Sequence, residues 1–536
     1  MNQLILGNDP GDEQDHVHSI QYDAEKNLAE YPLRSGECIE PESTTKVFQL
    51  NDGQQQAHDK LISYILGEEP QYRAYLLVGP AGTGKTTTIN RVVESMRRSH
   101  PHISFGMTAP THKAVRQLRK HSLLKTELDF GTIHSFLALK EKQVPNPYKK
   151  GEYMIKYEPE WNASQGRRID GVNVLIVDEA SMLGDELYEH IEDAWRSNTR
   201  LKIIYMGDER QIPPVKESRP KGAPAQNEDA IPFVPAQRQS RKIGFLELIE
   251  IVRQAQDNPI IAYATDIRLQ YKNQAIKHEF VNTNEHGVFV VSRDLIKIRE
   301  FISLYFDTPM FREDPDYVKI VAWRNDTVNY MNNEVRLLIN KVTSLPRIII
   351  GDKLILDKPV LKADKILIAN NEELEVTDVI SCVKAIKYNI ITRGNAFQQT
   401  KELFDEEVGK KVYQEDFKIY RTTVLTAENK QFVIDILHED DIQKFDSLKK
   451  RISDNATKQV DQFDKKEMWR EFFKLDGHFA QVKYNYCLTA HKAQGSTYDY
   501  CMSMEWDIDQ NRNIEERNRI RYVAATRARN KLFIVK

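Results

Sequence analysis

The chain has no apolar run long enough to cross a membrane, so no spanning helix is expected and a membrane is not among its expected partners. It has little cysteine: Cys38, Cys382, Cys487 and Cys501 stand far apart, without the close pairs of a thiolate metal site. Reduced thiols in a cytosolic setting are the expectation. It has almost no net charge, −3 at neutral pH. A nucleic-acid binder with this balance must concentrate its basic groups in one groove. Met1 to Asp15 is polar and acidic, unlike a signal peptide. Periodicity is missing from Met1 to Thr45, which is rich in Asp, Glu, Gly, Pro and Ser, so residues 1–46 are expected to be a flexible tail or small accessory segment.

What is present is ordinary in amount and specific in arrangement. Of 536 residues, 40% are hydrophobic and 29% charged, as in globular proteins, and the length exceeds what one core supports. The most informative stretch is Ala74 to Thr88, AYLLVGPAGTGKTTT. An apolar run through Val78 predicts a buried strand, and Ile89, Val92 and Val93 predict a helix after the glycines. Between them lies G-x-x-x-x-G-K-[ST]: Gly79, Pro80, Ala81, Gly82, Thr83, Gly84, Lys85 and Thr86, with Thr87 following. Glycines let backbone N–H groups ring a polyphosphate, and the helix start adds its positive end. Lys85 is placed to reach the outer phosphates and the Thr86 hydroxyl to ligate Mg²⁺.

Other candidates are weaker singly. Asn51 or Asp52 caps a predicted helix through Ile65. Gln54, at its start, carries an amide suited to an adenine edge, although a plain surface glutamine reads equally well. Past the predicted strand His102–Met107 come Thr108, Pro110, Thr111 and His112. His134 and Ser135 lie in a similar block, Gly131 to Phe136. Hydroxyls and imidazoles at strand ends suit phosphate contacts, but each block alone also reads as a capping turn. Residues 137–171 break the pattern and predict an inserted β-hairpin around Pro145, Pro147 and Tyr148. The strand Asn173–Val177 ends in Asp178 and Glu179. There Asp178 suits Mg²⁺ and Glu179 suits orientation or deprotonation of a water. Gln211 follows a further strand, where it can sense a terminal phosphate. Ile243 to Ile251 is read as an amphipathic helix.

The second half repeats the strand–helix theme from Tyr317. Several β-rich runs between about 361 and 437 predict a small barrel interrupted by a charged helix near Glu402 to Val412. Two amphipathic helices follow. Tyr484 to Leu488 is read as one strand, leading into His491, Lys492 and Ser496. Arg527 follows a last helix, from which it can reach across a cleft.

The blocks GPAGTGKT, VLIVDEAS, MGDERQIPP, LTAHKAQGSTYD and YVAATRAR, in this order, resemble superfamily 1 helicases of the 5′-to-3′ branch, the RecD- and Dda-like group, over about Phe48 to Lys536. The resemblance implies an α/β fold of two RecA-like parallel-sheet domains, with an inserted β-hairpin and an inserted SH3-like β-barrel carrying a helical extension. The implied boundaries are 47–250 with the hairpin at about 137–171, then 251–350 plus 481–536, with 351–480 as the barrel and helices. It also implies an ATP-dependent DNA helicase using Mg²⁺ on single-stranded and forked DNA, with single-strand-binding or replisome proteins as partners. By the same resemblance Gln54 contacts adenine, Gln211 couples the γ-phosphate to DNA, and Arg253 and Arg527 act as arginine fingers. Thr108, Pro110, Thr111, His112, His134, Ser135, His491, Lys492 and Ser496 would line the strand channel, and Tyr148 would belong to a strand-separating pin. Two other functions share the engine, a DNA-stimulated translocase without strand separation and an RNA helicase. A nucleotide kinase or GTPase is disfavoured by the second sheet domain. A silent assembly factor is disfavoured by the presence of Lys85, Asp178, Glu179 and Arg527.

Overall fold

The computed structural model describes residues 49–122, 128–145, 153–159, 166–214, 229–252, 258–280, 282, 286–362, 365–389, 401–405 and 410–536. The first sheet begins with three short strands, β1 (Ala74–Val78), β2 (Phe105–Ala109) and β3 (Asp129–Thr132), of which β1 and β2 are buried along their whole length. A two-stranded excursion, β4 (Leu139–Pro145) and β5 (Tyr153–Pro159), pairs antiparallel over seven residues. Then come β6 (Val174–Val177), β7 (Lys202–Gly207) and β8 (Ile243–Glu247). The order β3-β2-β6-β7-β1-β8 is parallel throughout. Burial on both faces explains why the inner strands β1 and β6 read as continuous apolar runs. Along β1, Tyr75 and Leu77 enter the core on one face, while Ala74, Leu76 and Val78 enter the core on the other.

β8 corrects the expectation of a helix at Ile243–Ile251. Gly244 has Tyr75 packed where a side chain would begin, with a Cβ there only 2.5 Å from the ring. Pairing against β1 over five residues outweighs a short helical periodicity.

The second parallel sheet uses β9 (Gly287–Val291) and β10 (Val318–Ala322). The chain then leaves it for β11 (Lys353–Leu356), β12 (Val360–Lys362), β13 (Lys365–Ile368), β14 (Glu373–Tyr388), β15 (Lys401–Asp405), β16 (Lys410–Thr426), β17 (Gln431–Leu437) and β18 (Val482–Tyr484). It returns with β19 (Cys487–Thr489), β20 (Tyr498–Met504) and β21 (Ala528–Val535), in the parallel order β19-β10-β20-β21-β9.

Two readings are corrected here. The charged helix expected near Glu402–Val412 is β15 and the start of β16, paired antiparallel over five residues. The single strand expected at Tyr484–Leu488 is two strands in different sheets. The chain switches at Asn485 and Tyr486, where the Asn332 side chain accepts the Tyr486 and Cys487 N–H groups. The antiparallel sheet has its own core around Leu354, Val376, Val424 and Ile436. The far ends of β14 and β16 continue as a ribbon under helices Ile442–Lys458 and Gln462–Asp476, through Phe417, Leu448, Ile452 and Trp469. A buried bidentate pair, Arg336 with Asp352 at 2.7 and 2.8 Å, ties this insertion to the second parallel sheet. No helix among the described residues is long and apolar enough to cross a membrane.

Candidate active site

The phosphate loop leaves the end of β1. Gly79 is packed so closely that a Cβ would lie 2.6 Å from Thr83 Oγ1 and 2.7 Å from the Leu248 carbonyl. Gly82 and Gly84 have φ of +83° and +77°, a region that favours glycine. The helix Lys85–Ser99 starts there with no acidic residue in its first turn, so its positive end is unopposed. Lys85 Nζ donates to the carbonyls of Gly79 at 2.5 Å and Pro80 at 3.0 Å, and Thr83 Oγ1 donates to Pro80 O at 2.9 Å. Thr86 and Thr87 are half-buried in the first helical turn.

Gln54 is tied to this loop. Its Nε2 donates to the Thr83 carbonyl at 2.9 Å, and its Oε1 accepts the Asn51 N–H at 3.1 Å, closing a capping box at the start of the helix Asp52–Ile65. Both ends of the amide are engaged, so the side chain braces the loop from the adjoining helix.

Asp178 and Glu179 lie at the end of β6. The Glu179 N–H donates to Asp178 Oδ1 at 2.9 Å, and Glu179 has a left-handed backbone, φ +50°. Such strain costs about 1–3 kcal/mol and clusters at functional sites. Burial, with the Asp178 carboxylate alongside, pushes Glu179 up to about 7, against the pull of Arg527 and Lys85. Burial raises Asp178 also, opposed by the Glu179 N–H and Lys85. Glu179 Oε2 is buried without a hydrogen-bond partner. An acidic pair of this kind has the chemistry of a cation and water site.

The second sheet domain closes the site from the opposite side, mainly through residues 493–496. Gln494 Nε2 donates to Gln211 Oε1 at 2.9 Å and to Ile212 O at 3.3 Å. Gly495, at φ +74°, has space for a Cβ 3.4 Å from Ala114 and 3.9 Å from the Glu179 side chain. Arg527 is buried behind this turn, donating to the carbonyls of Ser496 at 2.8 Å, Ala493 at 3.4 Å and Val523 at 3.0 Å. Arg519 Nη1 reaches the carbonyls of Glu209 and Gln211, each at 3.1 Å.

The nucleic-acid candidates share a local design. β2, β3 and β19 each lead into a helix start capped by a threonine: Thr111 accepts the Ala114 N–H, Thr132 the Ser135 N–H and Thr489 the Lys492 N–H. His112 and Ser135 are exposed, while Pro110, Thr111, His134, His491 and Lys492 are partly so. His134 packs at a tilt against Tyr157 of β5 with centroids 4.7 Å apart, and burial lowers it to about 4, so it is a neutral imidazole at neutral pH. Lys492 Nζ pairs with Asp357 at 2.7 Å. Two candidates do not reach a surface. Thr108 is buried and donates its hydroxyl to Ile176 O at 2.8 Å, and Ser496 is buried under Arg527. Their residue types suit phosphate contacts, but β-sheet register turns Thr108 inward and the Gly495 turn covers Ser496. Arg253 and Tyr148 lie outside the described residues. Sequence reasoning missed Gln494, Gly495, Arg268, Arg519 and Tyr522. Gln494, Gly495 and Tyr522 stand inside blocks singled out above, so their placement was the only signal available.

An AAA domain model matches residues 49–287, and a UvrD-like helicase C-terminal domain model matches residues 484–535. The chain is 26% identical over 510 residues to the ATP-dependent DNA helicase dda of Enterobacteria phage T4, covering 91% of this chain and 99% of that one. It is 29% identical over 200 residues to the ATP-dependent RecD2 DNA helicase of Deinococcus radiodurans, covering 37% of this chain and 22% of that one. Among solved structures it is similar to the Pif1 helicase from Bacteroides in complex with ADP-AlF3 and ssDNA, at 14% identity and a TM-score of 0.44, over 91% of this chain and 92% of that one.

Proposed function

We infer that this chain, a superfamily 1 helicase of the 5′-to-3′ branch, is an ATP-dependent DNA helicase that moves on single-stranded DNA and opens duplexes at forks. The observation that carries this reading is the turn at residues 493–496. It follows directly on His491 and Lys492, and it holds Gln211 through the Gln494 amide and Arg527 through the Ser496 carbonyl. A strand gripped at His491 and Lys492 and an ATP held at Lys85 therefore act on one short turn.

The chemistry follows from the donors present. Backbone N–H groups of the loop from Ala81 to Thr87 and the Lys85 ammonium bind the polyphosphate. Thr86 and Asp178 would hold Mg²⁺, which when bound neutralises phosphate charge; the buried, raised acidic pair fits that group. Glu179 takes the proton of the attacking water, and Gln211 reports the terminal phosphate to Gln494. Arg527, with Arg253, stabilises charge on the transferring phosphoryl group. Thr111, His112, His134, Ser135, His491 and Lys492 grip the strand through its phosphates, without reading sequence. Closure and opening of the cleft then displace one grip relative to the other. Replication, recombination or repair in the cytoplasm is the setting such chemistry serves.

Two assays test the reading. ATPase activity should rise with single-stranded DNA in the native chain and vanish in Lys85→Ala. Duplexes with a single-stranded tail at only the 5′ or only the 3′ end should open from the 5′ tail. ATPase stimulation without opening of either duplex would favour the translocase reading, and opening from the 3′ tail would overturn the polarity.

A further inference from the structure

Tyr522 belongs to the helix Ile514–Ala525 of the second sheet domain, yet its hydroxyl lies among groups of the first. It donates to Asp208 Oδ2, and it accepts the Ala81 N–H of the phosphate loop at 3.3 Å. Its ring is buried, and so is Asp208. The other carboxylate oxygen, Asp208 Oδ1, accepts the Arg210 N–H at 3.0 Å and faces Arg268 Nη2 at 3.6 Å. Arg268 comes from the helix Pro259–Leu269, and its side chain is only 11% exposed. One carboxylate of the first domain is thus held by a phenol and a guanidinium from across the cleft. The phenol in turn holds a main-chain donor of the loop that Lys85 closes.

We propose that Tyr522, with Asp208, is a cross-cleft latch that competes with the phosphates of ATP for the Ala81 end of the phosphate loop. The proposal rests on the ATPase reading above. A main-chain N–H aimed at the Tyr522 hydroxyl is not aimed at a phosphate oxygen, so the two uses exclude each other. The bond from phenol to carboxylate is charge-assisted, which makes the latch a worthwhile alternative to phosphate binding. Two hydrogen-bond sets of comparable strength give the cleft two discrete arrangements, the condition for a switch. Tyr522 touches none of the reacting atoms and is a positioning residue. Its position three residues from Arg519 puts both on one helix face, so release of the latch reaches the Glu209–Gln211 turn through the same helix.

The test is titration of a non-hydrolysable ATP analogue with Mg²⁺ into the full chain and into Tyr522→Phe, with and without single-stranded DNA. The phenylalanine keeps the ring and removes only the hydroxyl. Analogue affinity should rise by about fivefold, the size of one net hydrogen bond, and the effect of DNA on that affinity should shrink. A purely packing role would leave affinity unchanged or weaken it, and either result overturns the latch. If Tyr522→Phe does not fold, Asp208→Asn carries the same test, because it keeps the size and weakens the acceptor. Failure of the native chain to bind the analogue overturns the ATPase reading itself; normal native binding with no gain in the variant overturns the latch alone.

Discussion

Lys113 Nζ lies 2.8 Å from Glu373 Oε1, and the two residues belong to different bodies of the molecule. Lys113 stands in the first turn of the helix after β2, Glu373 at the start of β14. The same ammonium also reaches Asp316 at 3.0 Å and the Tyr498 hydroxyl at 3.3 Å, so the first sheet domain, the second and the antiparallel insertion meet at one cation. Burial alone would raise Glu373, but Lys113 and then Lys319 hold it down to about 2. Removing one partner of a buried pair costs about 3–5 kcal/mol, because the other charge is left in the interior. Lys113→Met should therefore lower unfolding stability by about 3 kcal/mol, near the bottom of that range because Lys319 remains close to Glu373. The sign with pH is fixed by the lowered carboxyl: its contribution is full above the ordinary glutamate range and is lost as pH falls toward 2. Urea unfolding of both chains between neutral pH and pH 3 checks this, and equal stabilities would show that the contact does not couple the bodies.

Glu179 gives a prediction about rate. A general base must be ionised, and this carboxyl titrates near 7 because burial and Asp178 oppose its charge. The DNA-stimulated kcat/KM for ATP should therefore rise through about pH 7 and level off above it. Glu179→Gln should bind ATP and DNA but hydrolyse about 10²–10⁴-fold more slowly. Loss of nucleotide binding in that variant would make Glu179 a structural residue and place the base elsewhere.

The contact between Gln211 and Gln494 predicts a separation of affinity from stimulation. Gln494 donates across the cleft at 2.9 Å and touches no residue of the phosphate loop among the contacts described. Gln494→Ala should leave KM for ATP within about twofold while the stimulation by DNA drops about tenfold, one 1.4 kcal/mol step in the barrier. Steady-state ATPase with and without single-stranded DNA measures both. Unchanged stimulation would remove Gln494 from the path between strand and nucleotide.

The legibility of the chain divides along physical lines. The phosphate loop was readable because its demands are local: glycines at positive φ, a strand before and a helix after. Asp178 and Glu179 were readable as the end of a buried parallel strand. The β15 segment was not, although its partner β16 follows directly, because its charged residues read as a helix surface. Nor was β8, because its partner β1 lies far back along the chain and its own periodicity points to helix. The same holds for the cross-cleft contacts. Tyr522 meets Ala81 across 441 residues and Gln494 meets Gln211 across 283, separations at which no local pattern carries information. Thr108 shows the converse: a residue type that suits a phosphate contact is turned inward by strand register.

The last prediction concerns the β4–β5 hairpin. Its strands pair over seven residues, from Leu139 with Pro159 to Pro145 with Tyr153, so the ribbon projects as one unit from the end of the first sheet. Its base is fixed by Tyr157, whose ring packs on His134 beside the Thr132 turn. That turn is one of the proposed strand grips, so the ribbon starts where the single strand would run. The proposal is that the segment carrying Pro147 and Tyr148 meets the fork and separates the duplex while the sheet domains pull, the proline stiffening the chain and the aromatic ring stacking on the last base pair. Replacing residues 144–149 by a short glycine turn should leave DNA-stimulated ATPase within about twofold, because neither the phosphate loop nor the turn at 493–496 is touched. Unwinding of a tailed duplex should fall about tenfold or more, since the fork then opens only by its own fraying. Tyr148→Ala alone should give a smaller loss in the same direction. Normal unwinding by the shortened chain would place the wedge elsewhere, and the β14–β16 ribbon with its two helices would be the next element to shorten.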